Sequence, residues 1–254
     1  MLTADDPHLT SLLVGQAASL EHELAVRYAP SIKLDQTEPF LPLRAGYTVI
    51  RQSGPSPSFS RTIEVGPGEL VVEYAIWWDW DITHLYELEH VWVYCDSSGT
   101  PVRAEASWHG GYRAIGANGS LSLSDDRLML YSEPGKHAFA PSSEWYRAGE
   151  KMNRWLCCRG AGAGGVLVTE LFTGIIDTKS INTDKLVQTF LRRQAFVPTY
   201  EFNRTVQITG EQLVPWPELY QWIPGRVTRL VEGLQEMARS DTSPFEPLDC
   251  ERAP

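Results

Sequence analysis

Basic charge, cysteine and long apolar runs are all scarce in this sequence, and each scarcity excludes something. Lys and Arg number 22 against 32 Asp and Glu, a formal net charge of −10, with no basic run or stripe. Nucleic acid is therefore not an expected partner. The four cysteines, Cys95, Cys157, Cys158 and Cys250, include no C-x-x-C spacing, and sequence neighbours such as Cys157 and Cys158 rarely pair. Reduced thiols are the expectation. No stretch approaches about 18 apolar residues, so no membrane span is expected. The opening Met1-Leu2-Thr3-Ala4-Asp5-Asp6 lacks the basic residues and apolar run of a secretory signal. A cytoplasmic protein is expected on these grounds.

Ready-made catalytic signatures are scarce too. Residues 159–165 read Arg-Gly-Ala-Gly-Ala-Gly-Gly, but no Lys-Ser or Lys-Thr follows, so a phosphate loop is excluded. A tight turn, a flexible loop or a lid over a site is expected there. There is no Ser-His-Asp order with a G-x-S-x-G elbow. Cys157 and Cys158 have no motif around them and read as buried structural thiols.

Aromatic residues are plentiful, with nine Trp and ten Tyr among 254 residues. Residues 61–65, 69–80, 86–95 and 101–109 are dense in Val, Ile, Tyr and Trp and read as strands. Asp96-Ser97-Ser98-Gly99-Thr100 makes the last two a hairpin. Apolar residues at helical spacing predict a helix over 7–28, and further helices over 143–156, 183–194 and 217–238. Residues 166–172 are a further strand candidate. The expected class is α+β. A central antiparallel, β-sandwich-like core (31–140) carries an N-terminal helix (1–30) and a mixed helical region (141–240). One domain, 1–254, ends in a loose tail at 241–254.

The chemistry concentrates in residues 73–95. Asp79, Asp81, His84, Glu87, Glu89 and His90 fall within twelve residues of an otherwise apolar, aromatic stretch. Burying so many ionisable groups is costly without compensation, and a cation compensates economically. Glu87 and Glu89 share strand parity and project together. Side by side they repel unless a cation lies between them. Asp81 and His84 precede them in the turn. The expected metal set is Asp81, His84, Glu87 and Glu89, a mostly hard-oxygen site. It suits one divalent metal ion, magnesium, manganese or calcium, and tolerates zinc or iron. The competing reading is a solvated, salt-bridged strand face. His90 has the opposite parity and reads as a core residue.

The run H-L-Y-E-L-E-H at 84–90 resembles the H-E-G-D-W-E-H motif of the vacuolar-protein-sorting family labelled sixty-two. More distantly it resembles the G-H-R-H-D-W-E motif of the necrosis- and ethylene-inducing-like proteins. His84 then matches the motif histidine, Glu87 its aspartate and Glu89 its glutamate. A-I-W-W-D-W-D at 75–81 resembles the toxins' strand that ends in an aspartate, here Asp81. S-W-H-G-G at 107–111 and G-K-H-A at 135–138 resemble the sorting family's S-x-H-G-G and G-S-H-A. The resemblance implies a β-sandwich core, a divalent-cation site, and His109 and His137 facing one cleft. It leaves the chemistry open. Glu87 stands for the motif's aspartate and Leu88 for its tryptophan, and the toxins' secretion signal and disulfides have no counterpart here, so toxin activity is not carried over.

Three functions follow as expectations. The first is a metal-dependent hydrolase of an ester or phosphoester, with a metal-activated water and with His109 and His137 as the catalytic acid–base and charge-stabilising pair. Lys136, Arg113, Trp78 and Trp108 are its candidate substrate contacts, and tryptophans would line an aromatic pocket. The second is a non-catalytic metal-stabilised module that binds a lipid headgroup, glycan or small apolar ligand. The third is metal-dependent isoprenoid diphosphate chemistry.

Overall fold

The computed structural model describes residues 7–116 and 120–240, with side chains from residue 16 onward in the first helix. The chain runs α1 (Pro7–Tyr28), β1 (Ser31–Leu34), β2 (Arg44–Ile50), β3 (Gly54–Pro55) and β4 (Thr62–Ile63). Next come β5 (Leu70–Trp80), β6 (His84–Cys95), β7 (Pro101–Trp108) and β8 (Gly111–Ile115). Then follow β9 (Leu123–Ser124), β10 (Arg127–Ser132), β11 (Phe139–Ala140) and a 3-10 turn, Ser143–Gly149, leading into α2 (Glu150–Cys157). The last elements are β12 (Gly165–Val166), α3 (Ile181–Arg193), β13 (Arg204–Gln207), β14 (Leu213–Pro215) and α4 (Trp216–Ser240).

The class is α+β, as expected. A seven-stranded sheet runs β14-β2-β5-β6-β7-β8, with β12 added to the start of β6. A second sheet of five runs β11-β10-β1-β13, with β9 on β10. The long central strands are antiparallel, but β1–β10, β2–β14 and β6–β12 are parallel, so both sheets are mixed. The expected tail at 241–254 lies outside the described residues.

One hydrophobic cluster joins the two sheets. Val72, Tyr74, Ile76, Trp78, Val91 and Val93 of the larger sheet share it with Ile32, Leu34, Leu128 and Leu130 of the smaller. Strand parity explains the choice, since alternate residues face one side of a sheet. On the opposite face, Trp77 meets Trp222 of α4 edge-on at 5.9 Å between ring centroids. α4 comes close because β2 carries Gly46, where a Cβ would meet Leu219 and Trp216 at 3.0 Å. Farther along that face a smaller cluster of Ile63, Val71, Trp92 and Tyr94 is closed by Phe59.

Sequence expectations and structure differ at 166–172. Only Val166 of that segment pairs with β6, and Glu170–Phe172 form a 3-10 turn. Tyr86, at φ +55°, interrupts that edge of β6 just after Leu85. The three described cysteines are buried and make no disulfide. No helix among the described residues is long and apolar enough to cross a membrane.

Candidate metal centre

The site forms where β5 turns into β6. Asp81 and His84 close a tight turn, with Asp81 N–H donating to His84 O at 3.0 Å. Asp81 Oδ1 accepts from the Thr83 amide and hydroxyl, each at 2.6 Å, so the carboxylate is bound into its own turn. Two loops grip this turn. Gly135 O accepts from Ile82 N at 2.7 Å, while Gly162 and Gly164 donate to Ile82 O and Thr83 O at 2.8 and 2.7 Å. The glycine-rich segment at 159–165 is thus a wall behind the site, not an open lid.

Asp81, His84 and Glu87 each bring one ligand atom to within 4.8 Å of the others. His84 Nε2 lies 3.6 Å from Asp81 Oδ1 and 3.7 Å from Glu87 Oε2. His84 Nδ1 lies 2.9 Å from the carbonyl of Tyr86, the geometry in which Nδ1–H donates and the Nε2 lone pair faces the carboxylates. The Asp81 side chain is fully buried, whereas those of His84 and Glu87 keep 14% and 18% of their exposure, so the group opens to solvent on that side. Asp81 Oδ2 accepts no hydrogen bond of good geometry and is met only by an ion pair with Lys136. A buried carboxylate beside an imidazole and a second carboxylate, open to solvent on one side, has the donor chemistry for a divalent cation.

One cation is already there. Lys136 Nζ is 2.7 Å from both oxygens of Asp81 and donates to Oδ1 and, at 2.8 Å, to Thr83 Oγ1. Burial works against the Lys136 ammonium, but Asp81, then Glu87, raise its pKa on balance. Burial alone would push the Asp81 carboxyl up; His84 and Lys136 hold it well below the usual carboxylate range. Lys136 was a candidate substrate contact from sequence. The structure instead commits it to Asp81.

Glu89 does not join the donor group. It lies on the face shared with Glu87, but its carboxyl takes the Ser107 hydroxyl of β7 in a short hydrogen bond. Burial, then the neighbouring Glu87, push its pKa well above the usual carboxylate range. Strand parity placed it correctly and could not see the partner strand that caps it. Asp79, the first acid of the run, belongs elsewhere, with both oxygens bound by Arg226 of α4.

The two candidate catalytic histidines part company. His137 is fully buried, stacked on Trp78 at 4.8 Å, with Glu38 Oε1 3.4 Å from its Nε2. It cannot exchange protons with a substrate, and Trp78 beneath it cannot touch one. Trp77, Trp78 and Trp92 are likewise fully buried, filling the core where a tryptophan-lined pocket was expected. His109 stays accessible, its side chain 44% exposed, with Nε2 2.8 Å from Glu133 Oε2. Arg113 lies between Trp108 and Trp145, 3.7 and 4.6 Å from the ring centroids.

Sequence reasoning missed Thr83, Glu133, Ser107 and Glu38. The D-x-T pattern of an Asx turn could have found Thr83. Glu38, 97 residues from Gly135 whose amide it accepts at 2.6 Å, left no local signal.

No family model matches the chain, and no curated protein matches it. The likeness to the sorting family drawn from 84–90, 107–111 and 135–138 thus finds no support. Solved structures do return the necrosis- and ethylene-inducing proteins. NLPPya in complex with glucosamine is 20% identical over 47% of this chain and 66% of that one, with a TM-score of 0.34. Its complex with mannosamine matches over the same extents, with a TM-score of 0.33. Necrosis and Ethylene inducing Protein 2 from the causal agent of cocoa's Witches Broom disease is 16% identical over 47% of this chain and 67% of that one, with a TM-score of 0.32. The chain therefore spans about two thirds of the length of the structures it matches.

Proposed function

We propose that this protein is a binding module whose ligand is held through a divalent cation at Asp81, His84 and Glu87. The observation that carries this reading is the convergence of three donors, with the imidazole tautomer fixed by Tyr86 O and a solvent opening beside His84 and Glu87. Asp81 is the buried anchor, His84 supplies a neutral nitrogen, and Glu87 closes the group from the open side. Because His84 and Glu87 are partly exposed, a cation held there would be reachable from solvent. Hydroxyls or a phosphate of a glycan or lipid headgroup complete its shell there, since hard cations take oxygen. The donor set suits magnesium, calcium or manganese, and admits zinc through His84.

Binding is favoured over turnover because the expected catalytic pair of His109 and His137 is not assembled. His137 is sealed under Trp78, and Glu89 is engaged by Ser107. His109 with Glu133 is an accessible pair that the hydrolase reading could use. Calorimetric titration of the stripped protein with each of the four metals, then of the metal-loaded protein with glucosamine, mannosamine and phosphorylated headgroups, tests the proposal. The expected result is ligand binding that EDTA abolishes and Glu87→Ala removes. Steady hydrolysis of ester or phosphoester substrates by the loaded protein, lost in His109→Ala, would replace this reading with the enzymatic one.

A further inference from the structure

The site carries its own cation, and that has a consequence for any ion that enters. Lys136 reaches Asp81 from the turn Glu133–His137, which is set by left-handed backbone at Gly135 (φ +69°) and His137 (φ +64°). Its amide donates to Glu133 O at 3.1 Å, and the Gly135 amide is held by buried Glu38. The ammonium is thus delivered by a rigid turn, not by a wandering surface side chain. Its Nζ lies 2.7 Å from both Asp81 oxygens, and a metal ligated by Asp81 sits roughly 2.0–2.6 Å from the same atoms. An ion taking both Asp81 oxygens on that side would need the space that Nζ fills. Charge points the same way. Asp81 and Glu87 with Lys136 leave one negative charge; with a divalent ion alone they leave none; with both cations they leave one positive charge in a largely buried pocket.

We infer that Lys136 is a resident counter-ion that competes with the divalent metal for Asp81, so that metal entry requires the Lys136 side chain to leave. This rests on the metal reading above. Asp81 stays paired without metal, and loading becomes an exchange that sets a weak apparent affinity, the class near 10⁻⁴–10⁻³ M in oxygen-rich sites. A ligand bearing an anionic group near the opening would favour the loaded state by pairing with the released ammonium.

The test uses the full chain stripped with EDTA. Wild type, Lys136→Met and Lys136→Gln are titrated with Mn²⁺ by calorimetry, and thermal unfolding is followed with and without Mn²⁺. Both variants are expected to bind at least about tenfold more tightly than wild type, because the competing charge is gone. Wild-type unfolding should barely respond to stripping, while that of the variants falls on stripping and recovers with Mn²⁺. A variant that folds only with Mn²⁺ present meets the same expectation. If wild type binds Mn²⁺ as tightly as the variants, the two cations coexist and the exchange is wrong, while the metal site stands. If none of the three binds, the metal reading falls and takes this inference with it.

Discussion

At the scale of single residues, Asp81 carries the most. It is fully buried and faces Lys136, whose side chain keeps only 12% of its exposure. Breaking such a pair leaves an uncompensated buried charge, typically a loss of about 3–5 kcal/mol. Asp81→Asn should lower unfolding stability by about that much in urea titrations. A second residue prediction concerns His90, whose pKa burial pushes down to about 3, the backbone of Ser58 and Leu88 opposing it in part. An unfolded histidine titrates near about 6.5. The His90 contribution is therefore fully present above about pH 6.5, and is lost as pH falls toward about 3 at up to about 1.4 kcal/mol per pH unit. His90→Phe, facing Phe59 and Trp92, should flatten the stability profile between pH 4 and 6 by about one proton; an unchanged slope would remove His90 as its source. The core role of His90 was legible in its parity, and so was the pairing of His84 with Glu87. The diversion of Glu89 was not, because Ser107 arrives from another strand.

At the scale of elements, the β6–β7 hairpin was legible because both segments are dense in Val, Tyr and Trp and the turn sequence at 96–100 joins them; β5 was legible as a strand by the same density, but its register on β6, Trp78↔Glu87 and Ile76↔Glu89, was not. The smaller sheet was not, because β1 finds its partners about 100 and 170 residues away, Ile32 opposite Leu130 and Val206. Four-residue strands with distant partners leave little periodic signal. The segment at 159–165 shows how composition misleads. Its glycines serve close approach: at Gly162, with φ +74°, a Cβ would lie 2.5 Å from Gln188 Cα. Gly162→Ala should therefore destabilise by about 1–3 kcal/mol, through overpacking and backbone strain together. A neutral effect in chemical denaturation would mean that the loop is free to move and is a lid after all.

Across the whole molecule, the site depends on contacts that span the chain. Glu38 from the segment after β1, Asp81 from the central hairpin, Lys136 from the turn after β10 and Gly164 before β12 all meet around one turn. The far face of the hairpin is fixed by α4, where Arg226 binds both oxygens of Asp79 across 147 residues. Both side chains are partly buried and doubly hydrogen-bonded, so Arg226→Ala should cost about 1 kcal/mol in unfolding free energy. Composition gave the acidic balance and the density of aromatics, but not that the tryptophans would be spent on core.

Calorimetric titration of the EDTA-stripped protein with Mn²⁺ and Ca²⁺, run on wild type, Glu87→Ala and Glu89→Gln, decides whether these side chains hold a metal. Wild type should bind about one equivalent, Glu87→Ala none, and Glu89→Gln with an affinity within about threefold of wild type, since the Glu89 carboxyl is engaged by Ser107 outside the donor group. Binding retained in Glu87→Ala, or abolished in Glu89→Gln, would contradict the donor set of Asp81, His84 and Glu87.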